Sequence, residues 1–192
     1  MTAANDTPEA EALLRLLPPM FRECFDRNSV KYDMSTPFVV GDFCYATDGH
    51  VIMRVPATGE IRMAFAALPV REKRRLSANS IATVWEDADA FVADPTSPPS
   101  LSGYPACKQC GGSGRSWCEC CDQACNCPNC DNGIPISIGI PVGGGVKIAP
   151  RYAHLLIEHG ASLFSRRDGA RNKAIRFTAP GGVEGRLMPL QL

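Results

Sequence analysis

From Pro8 onward the apolar residues Leu13, Leu14, Leu17, Met20, Phe21, Cys24 and Phe25 recur at helical spacing. Thr7-Pro8 supplies an N-cap and a first helical residue whose missing N–H costs nothing. Pro18-Pro19 interrupts the run, because a residue before proline is pushed out of the α region. The pattern predicts a short helix, a break, and a second helix ending near Arg27-Asn28, after a frayed tail at 1–7. The period then falls to two. Phe38-Val39-Val40, Phe43 to Thr47 and His50 to Val55 read as strands, closed by Pro56. Asp48-Gly49 between two apolar runs is a hairpin signal, because such a turn needs positive φ. Residues 59–68 predict another strand. Asn79 to Val92 fits either a helix or a helix followed by a strand.

The apolar pattern resumes at Ile134. Ile136 to Ile140 alternates as a strand, Gly143 to Gly145 is a loop, and Ala149 to His159 is a helix with Gly160 as its C-terminal stop. No Gly-Lys-Ser/Thr follows the glycine run, so it lacks the chemistry of a phosphate loop. Ser162-Leu163-Phe164 and Ala174 to Thr178 are strands, and Pro180-Gly181-Gly182 turns the chain into a last strand from Gly185 to Leu190. Helix-then-strands therefore occurs twice. The expected fold is an α+β domain whose halves, 1–103 and 134–192, flank an insert at 104–133. A proline-rich linker at 94–105 leads into that insert.

Composition supports a folded domain. The hydrophobic set makes up 45% of the chain and charged residues 21%, with zero net charge. No stretch approaches the ~20 apolar residues of a membrane span, and no charged leader precedes an apolar run. The expectation is a soluble cytoplasmic protein in reducing conditions, with no membrane partner and with Cys24 and Cys44 as buried thiols. Charge is uneven: residues 136–192 carry eight Lys/Arg against three Asp/Glu. Lys147, Arg151, Arg166, Arg167, Arg171, Lys173 and Arg176, with Arg186, are the candidate nucleic-acid contacts. The same residues also fit an ordinary solvated face. His50, His154 and His159 have no nucleophile motif beside them and no His-Glu-x-x-His exists, so no enzymatic activity is expected.

The insert changes the picture most. Eight of the ten cysteines fall between Cys107 and Cys130: Cys107, Cys110, Cys118, Cys120, Cys121, Cys125, Cys127 and Cys130. Two Cys-x-x-Cys pairs bracket the rest. In such a knuckle the chain turns sharply, two thiolates point at one ion, and glycine past the second cysteine permits the turn. Residues 104–133 offer few other groups to bury and cannot offset their own ordering entropy. Structural zinc contributes on the order of 10–16 kcal/mol in small peptides. Eight thiolates make two closed four-cysteine sites, and a closed site has no position for substrate. Disulfides, a redox dithiol and an iron–sulfur cluster are the competing readings. The compartment argues against the first, and the number and clustering of cysteines against the second.

Cys107-Lys-Gln-Cys110-Gly-Gly-Ser-Gly114 resembles the Cys-x-x-Cys-x-Gly-x-Gly repeat of the DnaJ-type cysteine-rich domain. Cys127-Pro-Asn-Cys130 looks like its closing repeat, with Asn132 and Ile134 where glycines are expected. The resemblance implies that Cys107, Cys110, Cys127 and Cys130 hold one zinc ion. Cys118, Cys120 or Cys121, and Cys125 would serve a second. No His-Pro-Asp tripeptide is present, so chaperone stimulation is not implied. Tyr45-Ala46-Thr47-Asp48-Gly49-His50 is similar to a stretch of bacterial replicative sliding clamps, and Gly185-Arg186-Leu187-Met188-Pro189-Leu190 to their final strand. That resemblance implies βαβββ halves of a clamp-like module, as in phage-encoded proteins.

Together these readings predict a non-enzymatic zinc-binding accessory protein that presents its zinc module to a protein or nucleic-acid partner. DNA binding or a replication accessory role through the basic C-terminal third is one alternative. A chaperone-like or thiol-redox role through the cysteines is the other.

Overall fold

The computed structural model describes residues 7–24, 34–69, 77–86, 90–92, 95–118, 123–142, 145–168, 170 and 173–190. Helix α1 spans Pro8–Arg15, with the Thr7 side chain accepting the Ala10 N–H. A 3₁₀ turn follows at Pro19–Glu23, after the expected break at Pro18. The predicted end of that second helix lies outside the described residues. Strands β1 (Phe38–Val40), β2 (Phe43–Thr47) and β3 (Val51–Pro56) form an antiparallel meander. Gly49, with φ 90°, sits in the β2–β3 loop as expected.

Residues 59–68 are a correction. They form helix α2 (Gly59–Ala66), not a strand. Thr58 caps it by accepting the Ile61 N–H, and Ile61, Ala64, Phe65 and Leu68 stand at helical spacing toward the core. Helix α3 occupies Ala78–Ala82 and overlaps the start of the stretch from Asn79 to Val92, which fits either a helix or a helix followed by a strand.

In the insert, β4 (Arg115–Cys118) pairs with β5 (Gln123–Asn126), and β6 (Cys130–Asp131) with β7 (Ile134–Pro135). A short ladder joins β8 (Ile140–Pro141) to β9 (Lys147–Ile148). The alternation of Ile136 to Ile140 therefore does not make one strand. Pro135 ends the knuckle's ladder, Ile138 N–H turns back to Pro135 O, and only Ile140 joins the next pair. Helix α4 covers Pro150–Glu158, and Gly160 follows it at φ 58°. Strands β10 (Ser162–Phe164), β11 (Ile175–Ala179) and β12 (Val183–Leu187) form a second meander.

The two meanders meet edge to edge. The six-stranded sheet runs β1-β2-β3-β12-β11-β10, joined by antiparallel pairing of β3 with β12. Strand alternation gives each face its own character. One face carries Cys44, Ala46, Val51, Met53, Val55, Leu163, Ile175, Phe177 and Leu187, all buried, under α1, α2 and α4. Gly185 lies directly under the Phe177 ring; a β-carbon there would stand 1.9 Å from Phe177 Cζ. The other face carries Phe43, Tyr45, Arg54, Glu184, Arg186 and Arg176, partly covered by α3 and Phe91. The linker is tied to this sheet, because Thr96 bridges Leu163 in both directions at 2.7 and 2.8 Å. Among the described residues no helix is long and apolar enough to cross a membrane.

Candidate metal centre

The two Cys-x-x-Cys turns lie 20 residues apart and face each other. Cys107 Sγ is 3.8 Å from Cys127 Sγ, and Cys110 Sγ is 3.6 Å from Cys130 Sγ. All four sulfurs lie within 4.8 Å of one another. A tetrahedral zinc thiolate with bonds of ~2.3 Å places its sulfurs about 3.8 Å apart. The spacing thus fits a metal ion of that size at the centre, and three of the four cysteines are buried. No cysteine pair here is at disulfide length.

The local chain explains the geometry. Gly111, Gly112 and Gly114 all take positive φ, which bends the first knuckle around its sulfurs. The second knuckle makes the same bend with Asn132 at φ 46° and Gly133 at φ 88°. Asn132 stands where the repeat would carry glycine, and asparagine is the residue that best tolerates this conformation after glycine. The turns then interlock. Cys107 N–H donates to Gly133 O at 2.7 Å, and Cys127 N–H to Gly114 O at 2.9 Å. Gly133 packs against the Gly112 peptide so closely that a β-carbon would stand 2.1 Å from Gly112 O. The Asn129 amide donates to Gln109 Oε1, joining the middle residues of the two turns.

The sulfurs also share protons unevenly. Burial works against ionising Cys110, but the Cys130 thiol and the N–H groups of Gly114 and Gly112 hydrogen-bond its thiolate and bring it to about 6. Burial, and its donor role toward Cys110 and Cys127, pushes Cys130 up to about 12. A cation at the centre would replace the shared protons and hold all four as thiolates. Four sulfur donors fill a tetrahedron, so the arrangement is suited to a structural ion with no open position for catalysis.

Of the other four cysteines, Cys125 lies in β5 opposite Ser116, and Cys118 ends β4. Cys120 and Cys121 lie outside the described residues. Cys24 and Cys44 are fully buried, as expected, and burial raises both thiols, that of Cys44 to about 12.

The proposed basic contacts are dispersed. Lys147 is exposed on β9, and Arg151 on α4 donates to Asp48 Oδ2 at 3.0 Å. Arg166 pairs with Asp168 at 2.8 Å, Arg167 donates to Phe91 O at 2.8 Å, and Arg176 pairs with Glu184 at 3.4 Å. Lys173 is exposed, and Arg171 lies outside the described residues. Arg166, Arg167 and Arg176 are associated with the β10–β11 side of the sheet, away from Arg151.

Sequence reasoning read Asp48 only as a turn residue. Its Oδ1 accepts the His50 and Val51 N–H groups at 2.9 and 3.0 Å, while Oδ2 accepts Tyr152 Oη at 2.9 Å. Burial and the Asp48 charge raise the Tyr152 phenol above its usual range. The polar cavity beside this cluster, about 220 Å³, is lined by Asp131 and Asn132 of the second knuckle and by His154 and Glu158 of α4. The second knuckle and the helix of the second half thus line one cavity. A scan against protein-family models finds no match, and searches of curated proteins and of solved structures find none either, so the geometry of the cysteine turns is what the functional reading rests on.

Proposed function

We propose that this chain is a non-enzymatic zinc-binding accessory protein. A clamp-like α+β scaffold holds a DnaJ-type zinc module and presents it to a protein partner. The observation that carries the reading is the convergence of Cys107, Cys110, Cys127 and Cys130 within 4.8 Å, with opposed sulfurs at zinc-thiolate spacing. The first and last Cys-x-x-Cys pairs sharing one site is the arrangement that the DnaJ-type resemblance implies. The clamp-like part of the reading is supported by the repeated helix and three-strand meander and by the mirrored strand order. Cys118, Cys120 or Cys121, and Cys125 are proposed for a second ion.

Elemental analysis of the full purified chain tests this directly. Two zinc ions per chain are expected if the inner cysteines ligate, and one if only the outer four do. Cobalt(II) in place of zinc should give the strong visible absorption of a tetrahedral thiolate. A metal-free chain whose circular dichroism is unchanged in strong chelator would overturn the proposal. Light scattering on the same sample separates the scaffold readings, since a monomer fits an accessory role and a ring-sized oligomer a working clamp.

A further inference from the structure

The second knuckle ends in the chain's one Asn-Gly pair, Asn132-Gly133. The pair is the two-residue loop of the β6–β7 hairpin, between Asp131 and Ile134, which stand opposite each other. A tight hairpin turn of this length requires positive φ at both residues, here 46° and 88°, and Asn-Gly is its preferred sequence. Turn chemistry therefore accounts for the choice of residues. The same pair is chemically labile. Where the chain is free, the glycine nitrogen can close on the side-chain carbonyl of the asparagine before it, because glycine has no β-carbon to obstruct the approach.

The closed knuckle withholds that freedom. Gly133 N–H donates to Cys130 Sγ, and Gly133 O accepts Cys107 N–H at 2.7 Å. One polar group of the glycine is thus held by a candidate ligand sulfur and the other by the backbone of the opposite turn. Gly114 packs on the same peptide: a β-carbon there would stand 3.3 Å from Asn132 Cα and 3.4 Å from Gly133 N. Asn132 is exposed and Gly133 is buried, so water reaches the side chain while the nitrogen that would attack it is fixed. Ring closure needs nitrogen and carbonyl carbon in an attack geometry, which a fixed peptide does not sample. All these restraints lie within the two cysteine turns. The apolar cluster of those turns consists of Cys107, Cys127 and Cys130, with Cys110 packed against them. Folding of so small a unit is coupled to its ion.

We infer that Asn132 is a self-modification site guarded by the metal centre: loss of the ion frees Gly133, and Asn132 then deamidates and records the loss permanently. The inference rests on the reading that the four cysteines hold a metal. In the step, Gly133 N gives up its proton and bonds to Asn132 Cγ. The bond from Cγ to the side-chain nitrogen breaks, and that nitrogen takes up a proton and leaves as ammonia. Water then opens the cyclic imide at either carbonyl, giving aspartate or isoaspartate. The only co-reactant is water. Either product spoils the site. Aspartate sets a second carboxylate beside Asp131, close to four thiolates. Isoaspartate puts an extra methylene into a main chain already packed against Gly112 and Gly114. A site that has lost only its ion reloads, whereas a deamidated one retains the ion poorly.

Peptide mapping by mass spectrometry on the full chain tests the inference, with zinc content measured on the same samples. Zinc-loaded and chelator-stripped chains are incubated side by side under reductant, so that cysteine oxidation does not mimic the loss. The mass gain of deamidation is followed at Asn132, with Asn79 of α3 as internal control. Free zinc at about 100 times the dissociation constant depletes the open form about 100-fold, so Asn132 should convert at least about tenfold faster in the stripped chain. Asn79 should convert equally in both. After incubation without metal, the unaltered chain should have lost zinc binding in proportion to converted Asn132. Asn132→Gly keeps the turn without the side-chain amide and should reload fully. Equal conversion of Asn132 with and without bound zinc overturns the inference and leaves the metal site standing. So does full zinc retention by the deamidated chain, or an equal loss of binding in Asn132→Gly. A chain that binds no zinc overturns both readings. Should Asn132→Gly not fold, zinc retention by the separated deamidated and intact fractions of the unaltered chain decides.

Discussion

At Asp48 one carboxylate oxygen closes the β2–β3 loop while the other ties that loop to Tyr152 and Arg151 of α4. The residue that looks like simple turn chemistry also fastens the first half of the domain to the second. Asp48→Ala should lower stability by on the order of 2–3 kcal/mol, because a buried phenol and two N–H groups lose a charged acceptor. Asp48→Asn keeps one acceptor for the turn and should cost less; urea titration of both variants checks the order. Glu184 makes a second residue-scale case. Burial opposes its ionisation, but the hydrogen bond and charge of Arg54, with the charges of Arg176 and Arg186, hold its carboxyl below the usual value. A carboxyl with a depressed folded pKa adds stability above its unfolded pKa, near 4.5, and that stability disappears as pH falls through the folded value. Thermal midpoints measured from pH 6 downward should therefore drop more steeply for the unaltered chain than for Glu184→Gln.

At the scale of elements, the knuckles and α2 show how local pattern becomes shape. Helical spacing of Ile61, Ala64, Phe65 and Leu68, with Thr58 before them, was present in the sequence and outweighed any strand tendency. The knuckles depend on glycine in a different way. Gly133 needs both its positive φ and its missing side chain, since the Gly112 peptide occupies the space of a β-carbon. Gly133→Ala should separate the two turns and weaken metal retention at least about tenfold, by analogy with the loss of supporting contacts around a metal. A chelator competition assay reads that directly. In the sheet, Gly185→Ala would drive a methyl group into the Phe177 ring and should cost about 1–3 kcal/mol. An unchanged denaturation midpoint would mean that the ring moves aside.

On the scale of the molecule, the segments that flank the insert are rooted in the main core while its cysteine turns are not. Ile134 and Ile140 belong to the main apolar cluster, with Leu101, Tyr104 and Ile138 packed against it, whereas Cys107, Cys127 and Cys130 form a cluster of their own. If the four cysteines hold a metal, stripping it should accordingly release amides of 107–118 and 123–133 from hydrogen-exchange protection while β3, β11 and β12 keep theirs. Equal loss in both regions would show that the metal supports the whole domain. Much of this organisation was legible beforehand. The cysteine spacing, the Asp-Gly hairpin, the break at Pro18 and the two helix-and-strand halves follow from covalent constraints and short-range periodicity, which a single chain segment carries by itself. The opposition of Cys107 to Cys127, the fit of Gly133 against Gly112, the reach of Asp48 to α4 and the register that sets Arg176 against Arg186 are different in kind. They join residues 10 to more than 100 positions apart, and only the packed core and the strand register bring such groups within contact.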